Sequence, residues 1–166
     1  MEEIQLTIAT LMKDENGYTA EYVRQLKQPS EKVWNSITNN EKLKKWMDHL
    51  EIVDLRKNGK ILFHYNDGSD QFEEMVITDY EEHSMIEFEW GEDFVRFEVI
   101  QTDEGTTLIM KESIHHLTDH TPKDLAGWQV CLMHLANVIN DESVEVPDNE
   151  WEKWFEIYNT LLEQYK

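Results

Sequence analysis

The stretch SIHHLTDH, residues 113–120, carries three of the chain's seven histidines, His115, His116 and His120, with Asp119 among them and Glu112 and Asp124 close by. Imidazoles and carboxylates are the side chains of acid–base chemistry and of metal coordination. The pattern speaks against a metal: adjacent histidines in an extended chain point apart, and neither a cysteine nor a regular histidine spacing accompanies them. A second pairing, Cys131 with His134, has a spacing that brings side chains together on a helix. Cys131 sits among Trp128, Leu132 and Leu135, however, where a thiol is a small apolar group rather than an activated nucleophile. No glycine-rich phosphate loop and no Ser–His–Asp arrangement is found, and neither a metal nor a cofactor is expected.

Glu112 is the acidic residue with an inward position, because strict alternation puts it on the same side as Leu108, Met110 and Ile114. If buried, its carboxyl rises in pKa and becomes a proton donor or acceptor. Near the end of a strand it is an ordinary solvated carboxylate, and its place in the sequence favours that second reading.

The elements that must position these residues follow from periodicity. GYTAEYVRQLKQP alternates, with Tyr18, Ala20, Tyr22 and Leu26 on one side, and stops at a proline that cannot continue a ladder. Asn16-Gly17 is a hairpin signal, so residues 1–17 can hold an extra strand. Next come two short helices within PSEKVWNSITNNEKLKKWMDH, with Ser30 as N-cap and a kink at Asn39-Asn40. From Ile52 to Ile114, alternating runs are separated by Asn58-Gly59, Asp67-Gly68, Gly91 and Glu104-Gly105, which predicts an antiparallel meander of about five or six strands. A long helix then begins at TPKDLAGWQV, with Thr121 as cap and Pro122 at the first helical position. Its apolar stripe is Leu125, Trp128, Leu132, Leu135 and Ile139. After Pro147, residues 148–166 form a further helix with Trp151, Trp154, Phe155, Tyr158 and Leu162 on its apolar side. The histidines therefore lie on the loop from the last strand into the long helix. No repeat or linker divides the 166 residues, so one domain is expected.

Composition narrows the partners. A formal charge of −20 repels nucleic-acid phosphates and anionic membrane surfaces. The acidic, interrupted N-terminus lacks the form of a signal peptide, and no segment approaches the roughly 20 apolar residues of a spanning helix. A single cysteine excludes an intramolecular disulfide and fits a reducing, cytoplasmic setting.

Two motifs carry a family resemblance: Pro29, Val33-Trp34, Ile37-Thr38, Leu43 and Trp46 in PSEKVWNSITNNEKLKKWM, and Gly127-Trp128, Cys131-Leu132 and Leu135 in LAGWQVCLMHLANVI. Together they resemble the activator of heat-shock protein 90 ATPase-like family of the START-like (SRPBCC) superfamily, over about Tyr18 to Asp141. The resemblance implies an α+β helix-grip fold, in which a curved antiparallel sheet wraps the long helix and leaves an apolar cavity between them. It implies a class of site rather than one reaction.

On that fold, alternation assigns Phe88, Trp90, Phe97 and Met110 to the inner sheet face, opposite Trp128 and Leu132 of the long helix, with Trp46, Phe63, Tyr65 and Met75 as the remaining walls. Burial alone also accounts for such side chains, at roughly 1.5–3 kcal/mol each. Tyr65, Trp90, Glu112 and His115 offer polar groups to a ligand. The leading expectation is a binding domain for a small hydrophobic or aromatic molecule. The alternatives are a chaperone-regulating or other protein-interaction domain, with a chaperone or a second copy of the chain as partner, and a cyclase- or hydrolase-like enzyme using Glu112 or His115.

Overall fold

The computed structural model of the chain describes residues 7–165. Eight antiparallel strands form one sheet: β1 (Thr10–Asp14), β2 (Gly17–Leu26), β3 (Leu50–Asp54), β4 (Lys60–His64), β5 (Phe72–Glu81), β6 (Met85–Trp90), β7 (Asp93–Thr102) and β8 (Gly105–Ile114), in the order β1-β2-β8-β7-β6-β5-β4-β3. Four helices accompany them among the described residues: α1 (Ser30–Thr38), α2 (Asn40–Trp46), α3 (Thr121–Asn140) and α4 (Glu150–Leu162). This is the expected α+β helix-grip fold, a curved sheet closed by the long helix α3. Part of the 1–17 segment lies outside the described residues; within it, β1 pairs with β2 through the Asn16-Gly17 turn.

The sheet alternates as its sequence does. Ile86 and Phe88 of β6, Val95, Phe97 and Val99 of β7, and Leu108, Met110 and Ile114 of β8 are all buried. Register pairs them directly, Phe97 with Met110 and Ile86, and Val95 with Phe88. Irregularities at Ile52/Asp54 and Ile77/Asp79 break the ladder, and such bulges bend a sheet. Against the inner face α3 buries Leu125, Trp128, Leu132, Leu135 and Ile139. Tyr22 of β2 donates its hydroxyl to the Leu125 carbonyl at 2.9 Å, which ties the first turn of α3 to the sheet.

The helix starts differ in detail from their sequence signals. Pro29, not Ser30, occupies the N-cap of α1, with no side-chain capping bond, because Ser30 is already helical. Thr121 likewise begins α3 instead of capping it, and its Oγ1 accepts from the Thr118 N–H at 2.9 Å. The predicted kink is real and has a mechanism. Asn39 leaves helical geometry and its side chain caps α2, while Asn40 exchanges two 2.8 Å hydrogen bonds with the Ile52 backbone. On α4 only Trp154, Tyr158 and Leu162 of the expected stripe are buried. Trp151 is exposed and stacks on Phe155 instead, with ring centroids 5.4 Å apart.

Candidate functional site

Where the first turn of α3 meets the β6–β7 turn, an open cleft of about 420 Å³ forms at one mouth of the grip. Its walls come from four places: Phe63, Glu73 and Met75 on β4 and β5, the β6–β7 turn, the histidine loop, and Asp124 in the first turn of α3. The turn is tight because Gly91 takes φ 63°, a conformation that glycine adopts without strain. It leaves Trp90 and Asp93, paired across the hairpin, at the cleft.

Trp90 is the hinge of the arrangement. Its ring lies 5.6 Å from Phe63, 6.4 Å from Phe88 and 5.0 Å from Trp128, so it links the cleft wall to the core. Its Nε1 donates to Asp124 Oδ1 at 3.0 Å, joining strand to helix. Asp93 Oδ1 accepts from both the backbone N–H and the ring Nδ1 of His115, each at 3.0 Å. A carboxylate oxygen only accepts, so Nδ1 of His115 carries the proton and Nε2 is left for other partners.

Glu112 lies behind this surface and is 1% exposed. Its register neighbours are Ala20 on β2 and Val95 on β7, neither of which has a polar side chain. The group that bears on it comes from the helix instead, the Asp124 carboxyl, while Glu112 Oε1 has no hydrogen-bond partner among the described residues. Burial, then the contact with Asp124 and the charge of Asp93, hold the Glu112 carboxyl well above the usual glutamate range. Two neighbouring carboxyl groups repel when both are charged, and the deeply buried Glu112 is the one whose proton is retained more tightly. This corrects the reading of Glu112 as a solvated strand-end carboxylate. The strand continues to Ile114, and α3 covers its end.

The residues assigned to a ligand from sequence are divided by the structure. Phe63, Met75, Trp90 and His115 line the cleft. Trp46, Phe88, Phe97, Met110, Trp128 and Leu132 are packed inside the core and do not line it. Trp46 and Trp128 each meet Phe97 edge-on at 6.1 Å, occupying the space between helix and sheet where the cavity was expected. Glu112 does not line the cleft, whereas Asp124 does. Tyr65 is exposed beside the cleft and donates its hydroxyl to Glu73 at 2.6 Å. Glu73 and Asp93, both lining residues, carried no sequence signal beyond their nearness to Met75 and Trp90. Asp124 could have been found from its place in the first turn of the predicted helix, where the helix dipole favours a negative charge.

Among the described residues, no group of three or more His, Cys, Asp or Glu side chains is arranged to hold a metal ion. Burial pushes the Cys131 thiol up to about 12, so it is not an activated nucleophile. No described helix is long and apolar enough to cross a membrane.

Comparison with known proteins agrees with the architecture. A solved structure of a conserved protein of unknown function, EF2215 from Enterococcus faecalis, is 26% identical, with a TM-score of 0.84 over 95% of this chain and 92% of its own. CalU16 from Micromonospora echinospora shares the fold at 16% identity and a TM-score of 0.72, covering 95% of this chain and 97% of that one. DynU16, a protein of the dynemicin biosynthetic locus, matches at 19% identity and a TM-score of 0.64, over 74% of this chain and 47% of its own. No curated protein matches the sequence. The profile of the activator of Hsp90 ATPase homolog 1-like proteins matches residues 27–140, which span α1 through α3 and the whole meander between them. With most of the chain so matched, on a helix-grip fold, the protein belongs to the activator of Hsp90 ATPase homolog 1-like family.

Proposed function

We propose that the protein binds a small molecule with an apolar or aromatic body in the cleft at the mouth of the grip. The observation that carries this reading is the cleft wall of Phe63, Met75 and Trp90, bordered by polar groups in a concavity of about 420 Å³. Concave sites of this size with a mainly apolar lining and a few placed polar groups are the usual form of small-molecule sites. The wall is supported from behind: Trp90 contacts Phe88 and Trp128 and donates a hydrogen bond to Asp124. A bound ring would stack against a surface that need not rearrange, which lowers the ordering cost of binding.

The reading is tested by thermal denaturation in the presence of 4-phenylbutanol and related arylalkanols, with Trp90→Ala as the control. A ligand at a hundred times its dissociation constant adds about 2.7 kcal/mol, or about 5–11 °C for a chain of this size. The stabilisation should disappear in Trp90→Ala. If neither the arylalkanols nor the matching arylalkylamines raise the melting temperature, or if Trp90→Ala is stabilised equally, the cleft is not the site.

A further inference from the structure

Resting on that reading of the cleft, we infer that its ligand is cationic: a protonated amine or quaternary ammonium group carried on the apolar or aromatic body. The charge of the lining points there. Glu73, Glu92, Asp93 and Asp124 all contribute to the cleft, and no lysine or arginine does. Among the described residues none of the four is ion-paired to a lysine or arginine; Asp93 has only His115. Their partners are instead weak, uncharged or exchangeable donors: the Tyr65 hydroxyl for Glu73, the Trp90 indole for Asp124 and the His115 imidazole for Asp93. Each carboxylate keeps acceptor capacity that these donors do not fill.

The consequences differ by ligand charge. An anionic aromatic molecule would bring like charge against four carboxylates. A neutral one would strip water from them and return at most an ordinary hydrogen bond, weaker than a charge-assisted one. An ammonium group replaces the lost water with charge-assisted hydrogen bonds and lies beside the aromatic side chains Phe63 and Trp90, whose rings attract cations. The Glu112 proton fits the same scheme. Burial raises the pKa of the Glu112 carboxyl, so the negative charge bordering the cleft comes from the lining carboxylates and not from Glu112 behind them. The rim histidines His115, His116 and His120 leave the entrance free of permanent positive charge.

Three probes with one skeleton separate charge from shape: 4-phenylbutylamine, 4-phenylbutanol and 4-phenylbutyrate, titrated calorimetrically at neutral pH in low and in high salt. The amine is expected to bind at least about tenfold tighter than the alcohol, with the carboxylate weakest and the preference for the amine reduced by salt. Glu73→Gln should shrink the amine-to-alcohol ratio, and so should Asp124→Asn. The first variant touches an exposed carboxylate and so remains informative if the second, which also disturbs the Trp90 bond, fails to fold. Amine and alcohol binding alike, or a ratio unmoved in Glu73→Gln and Asp124→Asn, overturns the cationic assignment and leaves the apolar site standing. Absence of binding by all three overturns both.

Discussion

Replacing Glu112 with Gln gives the most direct test of the buried carboxyl pair. Folded Glu112 keeps its proton at pH values where the unfolded chain, with an ordinary glutamate value of 4.5, has released it. Its contribution to stability is therefore complete at acid pH and is lost as pH rises above 4.5 through the raised native value. Within that window each pH unit costs about 1.4 kcal/mol. For a chain of this size that is about 3–5 °C in melting temperature per unit. Gln is neutral throughout and matches the protonated carboxyl in size and shape, so Glu112→Gln should melt close to the parent at about pH 5 and above it as the pH is raised within the range to about pH 8. Calorimetric melts of both proteins across that range isolate the effect, because the remaining ionisable groups are common to the two and largely cancel. Parallel melting curves from about pH 5 to about pH 8, or a variant less stable than the parent at the upper end, would refute a buried proton on Glu112.

Three further outcomes are expected. Cys131, raised from 9.0 to about 12, should react with a thiol reagent at about pH 8 roughly a thousandfold more slowly in the native protein than in denaturant; rates within tenfold of each other would contradict its burial. Tyr158→Phe leaves the Ala9 N–H and the Gln129 side chain without the hydroxyl they share, and urea unfolding should show a loss of about 1–3 kcal/mol. Gly127→Ala should raise stability by about 0.5–1 kcal/mol in the same assay, since the position is inside α3 and the added methyl would meet nothing closer than Trp151 Nε1 at 4.0 Å.

Much of the architecture could be read from spacing. The period of two in β6, β7 and β8 and the stripe from Leu125 to Ile139 each encode one buried face, and one buried face is what a strand or helix needs to declare itself. The turn between β5 and β6 escaped, because it holds no glycine and His83 supplies the positive φ of 69°. The cleft was harder. Alternation says which side chains point inward, but not whether they meet: Trp46, Phe97 and Trp128 are long enough to close the interior, and the open space is displaced to its rim. Glu112 shows the same limit. Its side of the sheet was legible, whereas the carboxyl beside it, Asp124, arrives from another element.

The strand order has a temporal consequence. β2 finishes early in the sequence, yet on the side away from β1 its partner in the sheet is β8; Gln25 Oε1 accepts from Thr107 Oγ1 across 82 residues, and Tyr22 reaches Leu125 across 103. During synthesis the first long strand must wait, with Ala20 and Tyr22 uncovered, until nearly the whole meander has left the ribosome. Closing a loop of that length precedes any reward from pairing, which slows folding and lengthens the exposure of an unpaired edge. The steep negative charge of the chain, −20 in all, opposes association between molecules during that interval.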